Sequence, residues 1–158
     1  MKALFDETSF KTSRLTTELY STSFSLGTKF LADDIRDAIY GIYGFVRFAD
    51  EIVDTFHEHN QKELLKQFEE DFYAALKVGI SLNPILNSFQ ETILKYDIDI
   101  ALVDAFLRSM KMDLYKSQYS TQEEYKQYIY GSADVIGLMC LKVFVEGDQS
   151  LYESLKES

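Results

Sequence analysis

The chain has 158 residues, 46% of them hydrophobic and 15% aromatic, which is enough for one folded domain with a real core and excludes a disordered segment. A formal net charge of −10 argues against electrostatic wrapping of nucleic acid and weakly opposes docking on an anionic membrane surface. One proline, seven glycines and the lack of any segment alternating at period two point to an all-helical protein.

Residues 9–20 read as a first helix with Leu15 and Leu19 on a shared face. The stretch YSTSFSLGTKFL follows, crowded with hydroxyls ahead of Gly27. Serine and threonine compete for backbone hydrogen bonds, so a bend or a frayed helix is expected there. Hydroxyls and free backbone N–H groups at such a place grip an oxyanion or cap a helix, and the sequence leaves both readings open.

The central helix is expected to start with Asp33 or Asp34 as N-cap, its acidic first turn suiting the helix dipole, and to run to the HEHN segment at residues 57–60. Ile42, Val46, Ala49 and Val53 fall on one stripe, and Tyr43, Arg47, Asp50 and Asp54 form a second stripe beside it. Charges bordering an apolar stripe lose hydration and need partners. Asp50 and Asp54 are one turn apart, with Cβ atoms about 5–6 Å from each other. Such a pair can hold a Mg²⁺ that keeps waters and takes its remaining ligands from a phosphate. An intrahelical ion pair of Arg47 with Asp50 or Asp54 accounts for the same spacing. Glu51 is expected to point away from this stripe. Gly41 and Gly44 cost about 1 kcal/mol each in a helix interior, which implies close packing or access for a ligand. His57 and His59 alternate and read as solvated loop residues.

A third helix is expected over residues 61–77, ended by Gly79 as a left-handed C-cap. Asn83 and Pro84 open the next, reaching about Tyr96, and Asp99 starts another that carries Asp113 between Met112 and Leu114. Thr121 to Glu124 is a capping box opening a helix through Tyr128 to Phe144. Its small run Gly131-Ser132-Ala133, with Gly137 beyond, leaves a groove for a hydrocarbon or a seat for a closely packed helix. The single cysteine, Cys140, lies in the apolar run GLMCLKVFV, so no disulfide framework exists and a reducing cytoplasm is expected. Gly147 and Asp148 separate a last helix. No apolar run is long enough to span a bilayer and no signal-peptide region stands at the N-terminus.

Three of these segments resemble the squalene/phytoene synthase family, in its order and spacing: YSTSFSLGTKFL, AIYGIYGFVRFADEIVD, and MKMDLYKSQYSTQEEYKQYIYGSADVIGLM. The resemblance covers nearly the whole chain and is closest to bacterial phytoene synthases. It implies the all-α isoprenoid-synthase fold, with residues 1–158 forming a single all-helical domain that corresponds to its N-terminal half. The implied activity is head-to-head 1′–1 condensation of two prenyl diphosphates: geranylgeranyl diphosphate to phytoene in carotenoid biosynthesis, or farnesyl diphosphate to squalene or dehydrosqualene. By the same resemblance Asp50 and Asp54 bind Mg²⁺ and Arg47 pairs with diphosphate. Tyr43 joins them, Ser21, Ser23 and Phe24 lie near the diphosphate, Asp113 and Tyr128 line the cavity, and Ala133, Ile136 and Gly137 lie beside the prenyl tail. The family's second aspartate-rich motif has no counterpart here, so the chain alone is expected to be inactive. A non-catalytic half-domain acting as an interaction module is the alternative. Peripheral membrane contact for product release and self-association through exposed apolar surface complete the expected partners.

Overall fold

A computed structural model describes residues 1–115 and 119–157; residues 116–118, within the third family-like segment, lie outside it. In chain order the helices are α1 (Lys2–Tyr20), α2 (Thr22–Thr28), α3 (Asp33–Asp54), α4 (Gln61–Val78), α5 (Pro84–Tyr96), α6 (Ile100–Tyr115), α7 (Gln122–Ile129), α8 (Val135–Phe144) and α9 (Gln149–Leu155), with a π-helical turn at Tyr130–Asp134 joining α7 to α8. No strand occurs among the described residues.

Helix α3 is the axis of the fold and packs against α1, α4, α5, α6 and α8. Its Phe45 is fully buried and meets four other rings: Phe89 of α5 at 4.1 Å, Phe68 and Phe72 of α4 at 5.1 and 5.3 Å, and Phe106 of α6 at 5.7 Å between centroids. This aromatic cluster ties three helices to the central one, each contact adding to simple area burial.

The seam of α1, α3 and α5 is built differently, from small polar residues. Ser9, Ser13, Thr16 and Thr17 are the buried residues of α1. Ser13 Oγ lies 2.7 Å from Ser88 Oγ, and Asn87 Nδ2 donates to Asp6 at 2.9 Å and to Ser9 Oγ at 3.0 Å. A Cβ on Gly44 would sit 2.6 Å from Ser13 Oγ, and one on Gly41 would sit 2.8 Å from Thr92 Oγ1. The two interior glycines of α3 therefore serve close helix packing. Because this buried face is polar, hydrophobic periodicity misses it: α1 begins at Lys2 rather than near Ser9, and Leu15 and Leu19 are exposed.

Caps account for most helix boundaries. Asn60 accepts from the Glu63 N–H, Asn83 from those of Ile85 and Leu86, and Asp148 from that of Leu151. Gly79 is left-handed at φ 85°. Helix α3 departs from expectation: its N-cap is Ala32, with no side-chain cap, and Asp33 and Asp34 lie within the first turn, where Asp33 pairs with Arg36. At α7 the Thr121 hydroxyl accepts from the Glu124 N–H as a capping box requires, while the Glu124 carboxylate accepts from the N–H and hydroxyl of Ser120. His57 and His59 are exposed, and burial pushes the Cys140 thiol up to about 11. Among the described residues no helix is long and apolar enough to cross a membrane.

Candidate functional site

The hydroxyl-rich stretch is a break between two helices rather than a frayed one. Ser21 is extended at φ −148° and its Oγ accepts from the Phe24 N–H at 3.3 Å, so it caps α2. Ser23 is exposed. The break turns α2 so that Phe24 stacks on Tyr43 of α3 at 5.0 Å and 22° between planes. One turn further along α3, the Arg47 guanidinium lies over the ring of Tyr20, the last residue of α1, at 5.0 Å. Tyr20, Ser21, Phe24, Tyr43 and Arg47 thus form one patch.

The carboxylates continue that patch toward the C-terminus of α3. Asp50 is half-buried and Asp54 exposed. Burial pushes the Asp50 carboxyl up to about 6; Arg47 opposes this, while Asp54, Asp113 and Glu51 add to it. Asp113 arrives from the last turn of α6, and it too is raised by burial and by Asp54. Tyr128 donates its hydroxyl to Asp113 Oδ2 at 3.0 Å, and the ring of Tyr119 lies tilted against that of Tyr128 at 5.0 Å between centroids. Two segments distant in sequence therefore bring a third carboxylate and two phenols to the Asp50–Asp54 edge.

Arg47 pairs with neither expected aspartate. Its Nη2 donates to Glu51 Oε1 at 2.6 Å. Glu51 was expected off the ionisable stripe, but a residue four along is only about 40° around the helix, so it flanks Arg47 directly. That spacing was the signal that would have found it. Tyr20 and Tyr119 are the other site residues that the sequence reading did not single out, since their roles come from the α1–α2 break and from the approach of α7 to α6.

The glycines and small residues of the later helices divide. A Cβ on Gly131 would fall 1.9 Å from Ser109 Oγ and 2.4 Å from the Ala105 carbonyl, so Gly131 is a packing residue seated on α6. Gly137 has open space around it and shares an exposed face with Ala133 and Phe144, while Ile136 packs against the core. Of the expected tail-side trio, Ala133 and Gly137 are exposed and Ile136 is partly exposed.

The donor set fits a hard cation. Carboxylate oxygens on one turn, crowded enough that burial and mutual repulsion raise Asp50, favour Mg²⁺ over a softer metal. No cluster of three or more His, Cys, Asp or Glu side chains arranged to hold a metal occurs among the described residues. A bound ion would thus take most of its ligands from water and phosphate oxygens.

The family model described as squalene/phytoene synthase matches residues 17–156. Phytoene synthase of Arthrospira platensis is 29% identical over 144 residues, covering 90% of this chain and 46% of that protein. A chloroplastic phytoene synthase of Oncidium hybrid cultivar is 32% identical over 130 residues, covering 80% of this chain and 31% of that protein. Among solved structures, a squalene synthase from Alicyclobacillus acidocaldarius superposes with a TM-score of 0.80 at 24% identity, over 94% of this chain and 56% of its own. A dehydrosqualene synthase in complex with ligand gives 0.77 at 21%, over 87% and 48%. These two likenesses establish the isoprenoid-synthase type of helical fold. The chain spans less than half the length of these two curated relatives.

Proposed function

This chain belongs to the squalene/phytoene synthase family, and from that premise we propose that its α1–α2 break and the C-terminal half of α3 bind the diphosphate end of a prenyl diphosphate. The whole protein then condenses two such molecules head to head, 1′ to 1, with geranylgeranyl diphosphate to phytoene as the favoured pair and farnesyl diphosphate to squalene or dehydrosqualene as the variant. The observation that carries this reading is the convergence of Arg47 with Asp50, Asp54 and Asp113 directly beside the Phe24–Tyr43 stack.

Each residue has a task set by its chemistry. Asp50 and Asp54 would hold Mg²⁺, which when bound neutralises the charge that develops on a departing diphosphate. Arg47 supplies a fixed cation for the phosphate oxygens. Phe24 and Tyr43 present aromatic faces next to this charged edge, where they exclude water from an allylic cation and favour it electrostatically. The Tyr128 hydroxyl keeps the Asp113 carboxylate oriented. Ala133 of the π-helical turn and Gly137 of α8 leave small, exposed positions for hydrocarbon. Exposed Leu19, Phe30 and Phe144 favour self-association or further helix packing. We propose a cytoplasmic protein that touches the membrane peripherally to release its product.

Calorimetry with a non-reactive prenyl diphosphate analogue tests the reading. Binding should be about tenfold tighter with Mg²⁺ than with EDTA. Equal affinity in the two conditions removes Asp50 and Asp54 as a metal edge.

A further inference from the structure

The Arg47 fork is half used. Its Nη2 donates to one oxygen of Glu51 at 2.6 Å, one turn along the same helix. Its Nε is buried and has no hydrogen-bond partner. The ring of Tyr20 covers the guanidinium face at 5.0 Å. Nε–H and one Nη–H lie along the same edge of a guanidinium, and that edge matches two oxygens of a carboxylate or phosphate through parallel bonds. A buried donor left unpaired is costly, so this arrangement is not the best that Arg47 can make.

A ligand that removed Glu51 from Arg47 would uncover the Nε–H that the present packing encloses. Glu51 engages the fork through one oxygen only, whereas a free phosphate group can set two oxygens on the same edge and carries a higher charge.

We propose that Glu51 is a placeholder on Arg47, displaced when a diphosphate takes the Nε–Nη2 edge with two oxygens while Tyr20 keeps the guanidinium plane fixed. This rests on the diphosphate reading above and adds a positioning pair, Glu51 and Tyr20, that act through Arg47. With Glu51 seated, the edge is masked from stray anions; with Glu51 displaced, the cation is presented in one orientation.

The test uses inorganic pyrophosphate with Mg²⁺, the 158-residue protein and two readouts. In the first, calorimetry on wild type, Glu51→Gln, Arg47→Ala and the double variant forms a cycle. Glu51→Gln should tighten binding about fivefold in the wild-type background and change it by less than about twofold when Arg47 is absent. In the second, the Arg47 Nε–H signal in a proton–nitrogen NMR spectrum, assigned by its loss in Arg47→Lys, should shift on titration. Tyr20→Leu should weaken binding, with Tyr20→Phe restoring it. An equal gain in both backgrounds marks a through-space charge effect and overturns the placeholder. So does no gain in the wild type, or an Nε–H signal that stays in place while pyrophosphate binds. Failure of the wild type to bind pyrophosphate at all, with or without Mg²⁺, overturns the diphosphate reading itself and the placeholder with it.

Discussion

The hydroxyl of Tyr128 donates to the carboxylate of Asp113 at 3.0 Å, linking the last turn of α7 to the last turn of α6. The bond works against its surroundings. Burial and the nearby Asp54 both push the Asp113 carboxyl up, and the phenols of Tyr128 and Tyr119 favour its charged form. Tyr128→Phe should therefore raise the Asp113 pKa further, measured by carbon-13 titration of its side-chain carboxyl. A value that does not move would mean that the hydroxyl does not stabilise the carboxylate.

Asp50 carries a pH dependence of opposite sign to that of an ordinary salt-bridged aspartate. Its folded-state pKa near 6 lies above the 3.8 of a free carboxyl. Between those values the folded chain holds a proton that the unfolded chain has lost, so this residue's contribution to stability is present at low pH and is lost as pH rises through about 6. In the metal-free protein, Asp50→Asn should be more stable than wild type at pH 7.5, by about 1 kcal/mol or a few degrees in Tm, and the difference should vanish at pH 4. A lower Tm for the variant at pH 7.5 would identify Asp50 as a structural carboxylate instead.

The two later glycines should respond to alanine in opposite directions. At Gly131 the added methyl meets Ser109 Oγ at 1.9 Å and the Ala105 carbonyl at 2.4 Å, so Gly131→Ala should cost about 2–3 kcal/mol in a denaturation midpoint. At Gly137 there is nothing within 4 Å, and Gly137→Ala should gain about 0.5–1 kcal/mol through helix propensity. Loss at both positions would put a packing neighbour against Gly137.

Residues 1–158 by themselves are expected to give no product. The described residues supply one helix with an aspartate pair a turn apart at this edge, α3, with Asp113 of α6 beside it, and leave Leu19, Phe30 and Phe144 exposed. A metal edge open to water has weakened electrostatics and does not protect a carbocation. Purified residues 1–158 should give no phytoene or squalene from the matching diphosphates and Mg²⁺, and Asp50→Ala should abolish product in a chain of the relatives' length. Robust turnover by the 158 residues would overturn this.

Where a local signal sets the structure, the sequence disclosed it closely. Asn83 and Pro84 opened a helix ending at Tyr96, and Gly79 stopped the one before, because capping and left-handed backbone are decided within a few residues. The Tyr43, Arg47, Asp50 and Asp54 stripe was legible for the same reason, since helical phase is set by spacing alone. Three things were not. The buried face of α1 is Ser9, Ser13, Thr16 and Thr17, whose hydroxyls bond carbonyls one turn back or side chains of α5 across the seam and leave no apolar period to read. Glu51 was judged by its place relative to the stripe as a whole rather than to Arg47. Gly131 looked the same as Gly137 in the sequence, and only the approach of α6 separates a packing glycine from an open one.

The π-helical turn at Tyr130–Asp134 works as a phase shifter. One residue wound into a helix beyond its α-helical count rotates everything downstream by about 100° about the axis. The turn thus lets one continuous rod show two unrelated faces: α7 directs Tyr128 at Asp113, and α8 directs Val135, Met139 and Val143 at the core. In an unbroken α-helix Tyr128 and Val135, seven residues apart, would fall on one face. Removing one residue from the turn would restore α-helical winding and bring the chain back into phase. Either the phenol or the apolar stripe would then have to leave its partner, so the length of this five-residue segment couples the geometry of the acidic edge to the packing of the core.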